Sequence, residues 1–293
     1  STLHAWPTAS RSAEAVTERL RRQRTEAREA AWPAGWSRWG GWTGRRFEAT
    51  GHFRTHHDGR RWWLVDPDGH PFWSAGLDCV RFGVPADCEG LTDALTWLPA
   101  ADGPFATCRA DPRGRMRTSV DYLRANFVRA FGPDDAEVRW AEIALAHLRR
   151  LGFNTVGNWS AWEHARVADV PFVLPLSGRA SFSQPVFRDF PDVFAASFAA
   201  DAERLAAPLR ALADCAALIG YFLMNEPAWG FASVTPAEGM LRGGGPSETR
   251  RALAEYLRDR YGTDAALAAA WGAEAIFARV AAGPWRGPLT DAA

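Results

Sequence analysis

Apolar positions along the chain change their spacing several times, and each change marks a predicted element. Over residues 12–30, Ala15, Val16 and Leu20 make a thin apolar stripe among alternating Arg and Glu, which predicts an exposed, charged helix that Pro33 ends. Trp36 to Trp42 holds too many glycines for a regular element. From Phe53 the spacing becomes strand-like. Asp58-Gly59 and Asp68-Gly69 are hairpin turn signals, and Arg61–Asp66 and Pro71–Asp78 read as strands. Residues 83–118 are rich in Pro, Gly and Asp and read as a long loop with a binding role or no fixed structure.

Strand and helix then alternate. A helix is predicted over 135–151, with Trp140, Ala144, His147, Leu148 and Leu151 on one face and Gly152 as its stop. Phe153–Ser160 is a strand ending in polar residues, 161–167 a short helix, Pro171–Pro175 a strand and 191–213 a helix. Leu218–Met224 is unbroken apolar sequence, as in a strand buried on both faces, and it runs into Asn225-Glu226-Pro227. Helices follow at 247–260, with Ser247 as N-cap, and at 263–271. This order predicts an α/β fold of the (β/α)8 TIM-barrel type. Four candidate barrel strands start near residues 72, 154, 171 and 218. A closed barrel has eight strands, so the chain reads as about the first four β/α units, a truncated barrel. Residues 1–52 form an N-terminal helix and Trp/Gly-rich lead-in, and residues 53–293 the half barrel, which starts with β-hairpins. The unpaired edges of a half barrel predict association.

Composition narrows the function. Formal net charge is +0, and all 34 Lys+Arg are arginine. There is no basic face for nucleic acid, and the arginine bias fits a GC-rich genome. No apolar run reaches the ~18–20 residues of a membrane-spanning helix, so no membrane partner is expected. The sequence opens at Ser1 without Met or a positive-then-apolar leader, which leaves the compartment open. The cysteines Cys79, Cys88, Cys108 and Cys215 lack zinc-like spacing. Cys79 and Cys88 are near enough in sequence to bridge, though buried free thiols are the expected state.

Polar residues gather where the predicted strands end, the rim on which a β/α barrel builds its site. Glu226, at the mouth of an apolar strand, is expected to be partly desolvated and to hold a proton near neutral pH as a general acid/base. Asn225 beside it can contact a sugar hydroxyl. Asp78 reads equally as a sugar ligand or as the cap of the next turn. Asn158 and Trp159 end the second strand, and Trp159, Trp162 and Trp229 are either sugar platforms or core. His56 and His57 are neighbours on one strand and point to opposite faces, which argues against a shared metal. The glycines 243–245 lack the Lys-Ser/Thr ending of a phosphate loop. No metal or cofactor is called for.

Three stretches carry a family resemblance. GHFRTHHDGRRWWLVDPDGHPFWSAGLDCV resembles the start of the catalytic region in β-agarase-like and β-galactosidase-like glycoside hydrolases. LRRLGFNTVGNWS and LIGYFLMNEPAW resemble that group's second and fourth barrel strands. Tyr261-Gly262-Thr263 to Ala270-Trp271-Gly272 resembles the helix that follows in related galactosidases. The resemblance implies a retaining mechanism with Glu226 as acid/base after Asn225, and a second Glu as nucleophile at the end of a seventh strand. Glu248, Glu255 and Glu274 fall on predicted helices and are poor substitutes for it. The implied substrate is a β-linked galactan or agar-like carbohydrate. Two rival readings stand beside this one: a degenerate barrel that binds carbohydrate without hydrolysis, and a barrel hydrolase acting on a mannan or glucan.

Overall fold

The computed structural model describes residues 10–100, 102–109, 119–176 and 182–288. Positions 101 and 110–118 of the expected long loop lie outside them. The chain divides into two compact units, Ser1–Leu174 with Cys215–Tyr221, and Pro175–Asp214 with Phe222–Ala293.

In the first unit, helix Ala13–Ala27 starts at Ser12, whose hydroxyl accepts the Ala15 N–H at 3.1 Å. It buries Leu20 alone, as its thin stripe predicts. It packs with helices Tyr122–Phe131 and Ala136–Arg150 around Cys108, Ala125, Phe127, Val128, Trp140 and Ile143. Tyr122–Phe131 was not expected, although Asp121 caps it and Gly132 ends it with positive φ. The buried face of Ala136–Arg150 carries Trp140, Ile143 and Leu148, but His147 and Leu151 are exposed.

The two hairpins form as predicted, with His57 opposite Trp62 and Val65 opposite Pro71. The Asp58 carboxylate organises the first turn by accepting the N–H groups of Arg60 and Arg61 and the Trp63 indole N–H. The Trp36–Trp42 segment folds around Asp66. This fully buried carboxylate accepts the Ser37 hydroxyl at 2.5 Å and the Asp68 and His70 N–H groups. The expected long loop holds some structure, since Ala86–Asp87 pairs antiparallel with Ser119–Val120.

The predicted strand 71–78 is two strands. Pro71–Phe72 completes the hairpin sheet, and Gly76–Leu77 begins a second sheet. The second sheet has four strands, Gly76–Leu77, Thr155–Val156, Phe172–Pro175 and Leu218–Phe222, neighbours in sequence order. Gly76 lies opposite Thr155 and Val156 opposite Phe172, both parallel. The bonds Phe172 N–H to Ala217 O (3.0 Å) and Leu176 N–H to Phe222 O (2.9 Å) advance in the same direction, so the fourth strand is parallel too. Gly76 is required at this approach, because a Cβ there would lie 2.2 Å from the Thr155 carbonyl oxygen. Helices alternate with these strands in sequence, and among the described residues Gly76–Leu77 and Leu218–Phe222 are the outer strands. The fourth strand is not buried on both faces as its apolar run implied: Leu218–Gly220 are half-buried and Tyr221–Met224 exposed. Outer position is the reason, since no described strand covers its far side.

In the second unit, Pro185–Phe187 pairs antiparallel with Phe190–Pro191, a hairpin the sequence did not reveal. Helices Pro236–Arg242, Glu248–Tyr261, Asp264–Trp271 and Phe277–Ala282 enclose Met240, Leu257, Leu267, Trp271, Val280 and Trp285. Ser247 is the N-cap of Glu248–Tyr261, as expected, and the buried Asp192 adds a second cap by accepting the N–H groups of Glu248 and Thr249. Arg250 is buried, and its guanidinium donates to the carbonyls of Val280, Met240, Leu241 and Gly243. No described helix is long and apolar enough to cross a membrane.

Candidate active site

The sequence-predicted residues fall into two groups, one in each unit. In the first unit the parallel register brings Asp78 and Asn158 together. Asp78 Oδ1 accepts the Asn158 N–H at 2.8 Å, and the Cys79 N–H donates to the Asn158 carbonyl at 2.8 Å. Gly157 makes room for that carboxylate, since a Cβ on it would lie 2.0 Å from Asp78 Oδ1. Asp78, itself an exposed residue, therefore ties two strand ends together. The Asn158 side chain is buried, and its Oδ1 has no hydrogen-bond partner among the described residues. A buried acceptor of this kind is costly unless a ligand or water meets it. Trp159 follows with φ +56° and is 43% exposed. Trp162 is not presented in the same way, because its ring stacks on Phe172 at 5.6 Å.

In the second unit Asn225 and Glu226 stand at the carboxyl end of the fourth strand, both exposed. The partial desolvation expected for Glu226 is absent from this chain, because the strand residues before it are themselves exposed. Glu226 has φ +44°, and Pro227 then turns the chain into a 3-10 helix over Ala228–Phe231. That turn is fixed from the 185–191 hairpin. The Asp189 carboxylate accepts the N–H groups of Ala228 and Trp229 at 2.7 and 2.9 Å, and Arg188 donates to the Ala228 carbonyl at 2.9 Å. Trp229 is half-buried and meets Phe190 edge-on at 5.2 Å. The sequence reading missed Asp189 and Arg188. Its only available signal was an Arg-Asp pair between two Phe-containing apolar steps.

Three parallel strands are thus followed closely by a non-glycine residue with positive φ: Cys79, Trp159 and Glu226. Such backbone costs roughly 1–2 kcal/mol per residue and clusters where side chains are held for function. His56 and His57 alternate as predicted, His56 against Phe47 and His57 against Trp62. Glu248 and Glu255 lie on helix Glu248–Tyr261, but Glu274 falls in the link before Phe277–Ala282 rather than on a helix.

A parallel β/α sheet with carboxylate, amide and indole groups at its strand ends defines an α/β protein of the kind that builds sites on that rim. No family model matches the chain. It is 28% identical over 230 residues to β-agarase A of Vibrio sp. (strain JT0107), covering 70% of this chain and 21% of that protein. It is 25% identical over 283 residues to β-agarase B of the same organism, covering 81% of this chain and 29% of that protein. Among solved structures, an agarase superposes with a TM-score of 0.76 at 24% identity, over 96% of this chain and 45% of its own. An exo-β-agarase superposes with a TM-score of 0.76 at 22% identity, over 99% of this chain and 48% of its own. The chain is agarase-like in sequence and fold, and it spans less than a third of the curated relatives it matches.

Proposed function

We propose that the protein is a retaining glycoside hydrolase acting on a β-linked galactan of the agar type, with Glu226 as general acid/base. The observation that carries this reading is the Asn225-Glu226-Pro227 turn at the end of a parallel strand, in a chain similar to two β-agarases over most of its length. The four parallel strands support a (β/α)8 barrel of which they are the first four.

In this mechanism Glu226 first protonates the leaving glycosidic oxygen and later takes a proton from the attacking water. Asn225 contacts a hydroxyl beside the reacting carbon. In the first unit, Asn158 Oδ1 accepts from a sugar hydroxyl, Asp78 holds Asn158 in place and Trp159 offers its ring to a sugar C–H face; in the second unit Trp229 offers its ring in the same way. The nucleophile must be a second carboxylate about 5–5.5 Å from Glu226. The family resemblance assigns it to a seventh strand, so these residues supply the acid/base and binding part of the site.

Product stereochemistry tests the retaining step. The first-formed sugar, read by proton NMR before mutarotation, should keep the β configuration. A first-formed α product would mean inversion and overturn the retaining assignment.

A further inference from the structure

One cleft in the first unit is not accounted for by this chemistry. It lies between the start of helix Ala13–Ala27, residues 94–97 and helix Tyr122–Phe131, and it shares no residue with the candidate active site. Its volume is about 680 Å³, within the range of small-ligand sites.

Trp97 is its main feature. The Tyr122 hydroxyl donates to the Trp97 carbonyl at 2.5 Å. The Arg129 guanidinium sits 4.7 Å from the Trp97 ring centroid, and Phe105 meets the ring edge-on at 5.5 Å. With its backbone carbonyl tied to Tyr122 and its ring met by Arg129 and Phe105, the indole is still 37% exposed. The Tyr122 ring, 6.1 Å away and inclined at 41°, extends it into a bent aromatic wall. An aromatic surface fixed in advance loses little entropy when a ligand docks. Hydrogen-bonding groups line the same cleft: Thr96, Asn126, whose Oδ1 accepts from Arg129 at 3.0 Å, and Arg129 itself. Arg11 lines the cleft as well, so its polar wall offers several N–H donors to the hydroxyls of a sugar.

We propose that this cleft is an auxiliary saccharide-binding site for a β-linked hexose oligosaccharide, with Trp97 and Tyr122 as the platform and Asn126 and Arg129 as the hydroxyl-binding groups. The choice of an agar-type sugar rests on the galactan reading above.

The test is calorimetric titration of the chain with an agar hexasaccharide, and separately with cellohexaose, in a Glu226→Gln background that prevents turnover. Ala94→Trp adds bulk on the exposed wall of the cleft and removes no packing. Trp97→Ala removes the platform. The expected result is saturable binding of the agar hexasaccharide with a component that each change weakens at least tenfold, any component that neither change affects belonging to the candidate active site, and with the melting curve of Ala94→Trp unaltered. No binding by the folded chain, or equal binding with and without Ala94→Trp, would overturn the proposal. Cellohexaose binding that Ala94→Trp abolishes, without agar binding, would keep the saccharide cleft and overturn the choice of sugar. Hydrolysis assays on Glu226 report the active-site reading separately.

Discussion

Asn154 is almost fully buried and uses both ends of its amide. Its Nδ2 donates to the carbonyls of Gly40 and Trp73, each at 3.0 Å, and its Oδ1 accepts the Ala75 N–H at 2.9 Å. One side chain thus joins the Trp/Gly lead-in, the approach to the first parallel strand and the start of the second. Asn154→Ala removes the shared partner of these backbone groups and should cost about 2–3 kcal/mol, read as a lower urea midpoint. Asp201 offers a pH-dependent counterpart. Its carboxylate is held below the usual range first by the Ser183 hydroxyl, then by the Ser183 N–H and by Arg204. A carboxyl whose folded pKa is depressed stabilises the fold above its unfolded pKa, and that stability is lost as pH falls through the folded value. The melting temperature should therefore drop as pH falls below the ordinary aspartate range, and Asp201→Asn should flatten the drop.

Among the elements, the hairpin of Pro185–Phe187 and Phe190–Pro191 bears most directly on the site, because its Asp189 carboxylate clamps the turn that follows Glu226. Asp189→Ala should speed hydrogen exchange of the Ala228 and Trp229 amides at least tenfold while the Glu248–Tyr261 helix keeps its protection. Unchanged exchange at those two amides would show that the clamp does not hold the turn. Long elements with a clear period were legible in the sequence. Ala13–Ala27, Ala136–Arg150 and Glu248–Tyr261 each carry an apolar stripe or a capping residue that sequence spacing reveals. The short hairpin was not legible, since strands of three and two residues, each with a proline, have no period to read. The break between Phe72 and Gly76 was hidden for a related reason. One apolar run serves two sheets, and only tertiary pairing decides where it divides. The position of Glu226 just beyond a strand end was legible, because an apolar run, a carboxylate and a proline follow one another in the sequence. The meeting of Asp78 with Asn158 was not, because parallel register across 80 residues creates it.

At the scale of the whole molecule, Gly76–Leu77 and Leu218–Phe222 are the outer strands of the parallel sheet among the described residues, and Leu77, Tyr221 and Phe222 on them are exposed. Exposed strand edges of this kind recruit further strands. The isolated 293-residue chain should therefore elute above its monomer mass in size-exclusion chromatography with light scattering. A sharp monomer peak with cooperative melting would contradict this. The chain spans just under half of the solved agarases it resembles. The central claim is that Glu226 donates and accepts the proton in hydrolysis of a β-galactan. The most direct test is release of reducing ends from agarose oligosaccharides by the natural polypeptide that carries this chain, with Glu226→Gln assayed beside it. The account predicts release by the native protein and a loss of about 10²–10⁴-fold in the variant. Equal rates in the two, or no release by a folded native protein, would contradict it.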